Sequence, residues 1–177
     1  MTVQLFQTVR FPSQDSISRK LQRLMYPEHL SSLECGSFRY PTEKLRRIMP
    51  DVLGEIESTL ESEIQNIRLF WTPAGRNLKI HSDEFTGAVE WALNWPLTQT
   101  DSDMIWYDGT GATLCSHEGY GGLYTYDEST VQEIARTQII EPTMVKIDVP
   151  HSVINRSDHT RMMLSFRFST LGHQFML

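Results

Sequence analysis

His81-Ser82-Asp83 closes an apolar run, Leu78-Lys79-Ile80, and its side chains could bind a metal ion. Successive strand residues point to opposite faces, so an imidazole and a carboxylate two positions apart share one face. His151 opens a strand-like run after Pro150 and is the candidate third ligand. Two imidazoles and one carboxylate on one face of an octahedral ion leave three positions open, an arrangement suited to iron(II) and oxygen chemistry. His-x-Asp alone is a weak signal in a chain with 6 His; the combination carries the information. Asn155-Arg156-Ser157-Asp158 is a polar turn-former between two strand-like runs. An antiparallel hairpin folded there sets Arg161 across from His151 or diagonal to it. A guanidinium is a planar fork that grips a carboxylate with two hydrogen bonds. Walled in beside a metal it needs such a partner, and an acidic co-substrate would supply one.

The elements that position these residues change character along the chain. Ile17, Leu21, Leu24 and Met25 recur at helical spacing after Asp15-Ser16, and Pro27 stops the run. Residues 28–41 read as a loop, Thr42 to Met49 as a short helix, and Pro50 to about Ile64 as a longer one. The acidic side chains of that helix (Glu55, Glu57, Glu61, Glu63) are expected to face water. From Asn66 the pattern is stranded: Ile67 to Trp71, Leu78 to His81, Ala88 to Trp95, Asp103 to Tyr107, Leu123 to Tyr126, Thr143 to Val149, Ser152 to Asn155 and Arg161 to Phe168. Thr130 and Glu133 form a capping box that predicts a helix over Thr130 to Thr137. The glycine-rich stretch from Ser116 to Tyr126 could be a lid over the site or a surface loop. About eight short strands imply a closed sandwich or barrel, mainly β, with N-terminal helices over one face. The expected organisation is one domain, with residues 1–65 as a helical cover and 66–177 as the core.

Composition narrows the function. The chain has 177 residues and a net charge of −6 with no basic tract, so nucleic acid is not an expected partner. No apolar run approaches the roughly 20 residues of a membrane span, and the N-terminus lacks signal-peptide features. A cytoplasmic protein is expected. Cys35 and Cys115 stand apart without metal spacing and are expected to be free thiols.

The set His81-Ser82-Asp83, His151 and Arg161 resembles the 2-oxoglutarate/iron(II)-dependent oxygenases. The run His151-Ser152-Val153-Ile154-Asn155-Arg156-Ser157 … Arg161 … Leu164-Ser165 is similar to the last two core strands of that family. Trp91-Ala92-Leu93-Asn94-Trp95-Pro96-Leu97 and Trp106-Tyr107 are similar to small members from marine bacteria and phages. The resemblance spans about residues 66 to 168. It implies a double-stranded β-helix (a jelly roll, cupin-like), with iron(II) on His81, Asp83 and His151. It also implies 2-oxoglutarate with its distal carboxylate on Arg161, and O2 as oxidant. The implied reaction is decarboxylation of 2-oxoglutarate to succinate coupled to oxidation of a small molecule, an amino acid or a protein side chain. Many members carry a serine two residues after the arginine; here that position is Met163, and Ser165 follows two residues later. Asn94 and Tyr107 are further candidates for the co-substrate pocket. Two other readings stay open: a cupin-like metalloprotein without 2-oxoglutarate, and a non-catalytic jelly-roll binding module.

Overall fold

The computed structural model describes residues 4–24, 34–83, 90–109, 113–117 and 121–169. Its strands, in chain order, are β1 (Phe6–Thr8), β2 (Gly36–Tyr40), β3 (Ile64–Thr72), β4 (Asn77–Asp83), β5 (Trp91–Pro96), β6 (Ser102–Gly109), β7 (Thr113–His117), β8 (Gly121–Thr125), β9 (Val131–Thr137), β10 (Thr143–Lys146), β11 (His151–Asn155) and β12 (Arg161–Phe168). The helices are α1 (Gln14–Leu21), α2 (Thr42–Ile48) and α3 (Pro50–Leu60). Two six-stranded antiparallel sheets form, one in the order β1-β10-β5-β12-β3-β2 and the other β7-β8-β4-β11-β6-β9. This is the mainly-β jelly roll with N-terminal helices that the strand pattern predicts.

The first sheet is buried on both faces at its centre, which explains the nearly continuous apolar run of β12. Leu164, Phe166 and Phe168 pack outward with Leu93 and Trp95 of β5 against Ile17, Leu21, Val52, Leu53, Ile56 and Leu60 of α1 and α3. The alternate set turns inward. Met163 joins Ala92, Val145, Met104 and Trp106 in a second cluster drawn from both sheets, and therefore lying between them. Arg161, Ser165 and Arg167 share that inward face with Met163. α3 begins with Pro50 in its first turn and ends at Glu61, which adopts a left-handed φ of 50°. The helix thus stops short of Ile64, which starts β3.

Four expectations need correction. Residues 130–137 do not form a helix beyond the short 3-10 turn Glu128–Thr130. That turn is capped by Asp127, and Val131 is already extended. β9 then pairs with β6, so sheet hydrogen bonds outweigh the local capping box. The segment read as a loop contains β2, paired with β3. Glu57 is not a solvated acid: it takes both guanidinium nitrogens of Arg46 at 2.8 and 2.9 Å and the Ile64 N–H at 2.8 Å.

The fourth concerns the link from β11 to β12, which is not a hairpin. β11 pairs with β4 and β6, whereas β12 pairs with β3 and β5, so the chain crosses from one sheet to the other. Arg161 therefore faces the triad's sheet from the opposite wall instead of lying beside His151. The Ser116–Tyr126 stretch is partly outside the described residues; its residues 121–125 are strand β8.

Candidate metal centre

His81 and Asp83 sit at the end of β4, and His151 is the first residue of β11. The Cα register pairs His151 with His81, and the two rings lie 4.4 Å apart, centre to centre. One donor atom from each of His81, Asp83 and His151 falls within 4.8 Å of the others, the one such cluster among the described residues. His81 Nε2 lies 3.8 Å from Asp83 Oδ1.

Backbone carbonyls set the imidazole tautomers. His81 Nδ1 donates to the Lys79 carbonyl at 2.8 Å, and His151 Nδ1 to the Val149 carbonyl at 2.9 Å. A carbonyl can only accept, so each Nδ1 carries a hydrogen and each Nε2 is left to face an ion. That is the second-sphere arrangement by which proteins orient histidine ligands. Burial, reinforced by the neighbouring His81, pushes His151 down to about 3, so its ring is neutral at physiological pH. For Asp83, burial works to raise the pKa. Arg167, the two imidazoles and Arg68 outweigh it and hold the carboxyl below the usual aspartate range. Two imidazoles and one ionised carboxylate are the donor set that suits a divalent ion with open coordination positions. The residues present fit such an ion.

Arg167 was not among the residues singled out from the sequence. It reaches from β12 to Asp83, with Nη2 2.6 Å from Oδ2. Its one sequence signal is spacing: it stands six positions after Arg161 on the same face of a strand otherwise rich in apolar residues. Arg68 on β3 is a second missed interior guanidinium; it is buried and is the register partner of Ser165.

Arg161 itself is 5% exposed. No hydrogen bond or ion pair to its side chain is found among the described residues. Burial alone takes its pKa down to about 10. Among the described residues Ser165 Oγ is buried with no hydrogen-bond partner, and Asn94 is its register neighbour on β5, so these two share the inner wall with Arg161. Tyr107 is placed elsewhere. Its hydroxyl is 2.9 Å from Ser152 Oγ, and Ser152 alternates with His151 and so points to the other face of β11.

Two ties align the sheets. Arg167 meets Asp83 at one end. At the other, Asn155 Nδ2 donates to the Thr72 carbonyl at 2.9 Å, and Thr72 is the register partner of Arg161. β4 and β12 therefore run in the same direction across the interior, and stepping back two residues from Asp83 and Arg167 sets His81 level with Ser165. Arg161 lies four residues further back, about 13 Å along the strand.

No family model matches the sequence, and no curated protein matches it. Solved structures resemble it weakly. A prolyl-4-hydroxylase from Pseudomonas putida is 11% identical with a TM-score of 0.45, over 94% of this chain and 92% of that one. A 2OG-Fe(II) oxygenase family oxidoreductase from Burkholderia pseudomallei is 13% identical with a TM-score of 0.47, over 88% and 78%. A vicilin from Capsicum annuum is 10% identical with a TM-score of 0.43, over 83% and 31%. No helix among the described residues is long and apolar enough to cross a membrane.

Proposed function

We propose that this chain is a non-haem iron(II) oxygenase that uses 2-oxoglutarate and O2 to oxidise a small molecule or an amino-acid or protein side chain. The observation that carries the reading is a pairing. A triad of two imidazoles and an ionised carboxylate stands at one level of the barrel, and the residue that carries a buried guanidinium without an anionic partner among the described residues stands about 13 Å along the strand from it. A guanidinium side chain and a short diacid fill such a span between them.

His81, Asp83 and His151 would hold the ion. Bound iron(II) would supply the coupling of 2-oxo acid decarboxylation to substrate oxidation. Arg161 takes the distal carboxylate through its planar fork, which fixes the diacid's orientation. Ser165 and Asn94, level with His81, would donate hydrogen bonds to the same molecule. Met104, Trp106 and Met163 form an apolar interior that keeps water from the buried charges.

The test is succinate release. Purified protein with iron(II), ascorbate and 2-oxoglutarate should form succinate and consume oxygen, and His81→Ala should abolish both. Iron-loaded protein that forms no succinate, with candidate substrates present or absent, would refute the 2-oxoglutarate assignment.

A further inference from the structure

The two oxygens of Asp83 are divided between different neighbours. Oδ1 lies 3.8 Å from His81 Nε2, inside the donor cluster. Oδ2 lies 2.6 Å from Arg167 Nη2. The guanidinium comes from the opposite sheet, on the inward face of β12, and its side chain is only 9% exposed. Buried packing therefore limits how far it can move, and the carboxylate cannot rotate freely while the bond persists. A charge-assisted bond of this length engages one lone pair of Oδ2 and fixes the carboxylate's orientation, which disfavours a second contact to an ion.

We propose that Arg167 is a positioning residue that commits Asp83 to bind the metal through Oδ1 alone. The inference rests on the metal site described above. Its chemical consequence is a count. Two imidazoles and one carboxylate oxygen fill three positions of an octahedral ion and leave three. A carboxylate gripping through both oxygens would fill a fourth and leave two. A chelating 2-oxo acid needs two positions, so only one-oxygen ligation keeps a further position for the second reactant.

Bound Mn(II) makes the count measurable, because its effect on water-proton relaxation scales with the waters it holds. The protein without co-substrate should hold about three such waters. Arg167→Met removes the donor at similar bulk, frees Oδ2, and should lower the relaxivity per bound Mn(II) by about one third. Arg167→Lys keeps a donor for Oδ2 and should restore the wild-type value. If Arg167 only props the two sheets together, Arg167→Met will lower the melting temperature and leave the relaxivity per bound ion unchanged, which overturns the proposal. Should the methionine variant not fold, the wild-type difference infrared spectrum on Mn(II) addition decides. Widely split carboxylate stretches support one-oxygen ligation, and closely spaced ones overturn it. Wild-type protein that takes up no Mn(II), and matches His81→Ala in this, would instead overturn the metal-site reading and the present proposal with it.

Discussion

Asn155 Nδ2 lies 2.9 Å from the carbonyl of Thr72, and this single side chain ties the sheet that carries His151 to the sheet that carries Arg161. The same amide also reaches the carbonyls of Pro73 and His159 at 3.0 and 2.9 Å, while Oδ1 accepts from the Ser157 N–H. Asn155 is 1% exposed, so its own amide has no water to turn to. Asn155→Ala should destabilise the fold by about 2–4 kcal/mol in urea titrations. It should also weaken 2-oxoglutarate binding more than metal binding, because Arg161 stands over the tie and the triad does not. Equal losses of both would contradict the alignment described here.

Loss of a ligand should be severe and local. His81→Ala leaves the His151 ring and Asp83 without their partner ion, and should weaken divalent-metal affinity more than about 100-fold, beyond the loss typical of outer-sphere changes. Isothermal titration with Mn(II) or Fe(II) reads the affinity. Far-ultraviolet circular dichroism should be unchanged, since His81 lies at a strand end.

Arg161 should be a liability without its diacid. Its pKa is depressed by burial, so the sign is as follows. At very high pH both folded and unfolded chains carry the neutral group and nothing is lost. As the pH falls, the unfolded chain takes up its proton first, and the full penalty is in place below about 10, neutral pH included. Its size is about 3 kcal/mol. Arg161→Met should therefore raise the stability of the co-substrate-free protein by about 1–3 kcal/mol. The same change should weaken 2-oxoglutarate binding by about 2–5 kcal/mol and leave metal affinity intact. A destabilised variant would show that the guanidinium has a structural partner.

Acid sensitivity should arise partly at Asp103. Its buried carboxylate accepts from Arg156 and Arg136, both at 2.9 Å. These bonds, that of Arg156 foremost, hold its pKa below the ordinary range. A depressed acid stabilises the fold above the ordinary aspartate range and loses that contribution as the pH falls through its folded value. Both arginines are partly solvated, so Asp103→Asn should cost only about 1–2 kcal/mol at neutral pH. The gap between wild type and variant should close on acidification; a gap constant with pH would exclude this origin.

The sequence made some of this legible because some signals are local. The alternation in Arg161-Met162-Met163-Leu164-Ser165-Phe166-Arg167-Phe168 specifies a strand whichever sheet it joins, and its limits match β12. His81 and Asp83 share a face by strand geometry alone, and Cys35 is free as expected. What was not legible depends on partners distant in sequence. The turn after Asn155 looks the same whether the next strand returns to its own sheet or crosses to the other. The capping box at Thr130 and Glu133 is genuine in type, but Glu133 pairs instead with Arg136, and β6 supplies the backbone bonds. Arg167 gives no local hint of its role, because the carboxylate it holds belongs to another sheet.

The bond between Asp83 and Arg167 joins residues 84 apart along the chain. Closing so long a loop costs conformational entropy before any contact repays it, and non-local pairing of this kind slows folding. The three donors lie within one sheet, on β4 and β11, but Asp83 is held by Arg167 only when both sheets have met. The fixed orientation of the Asp83 carboxylate is thus a property of the finished barrel.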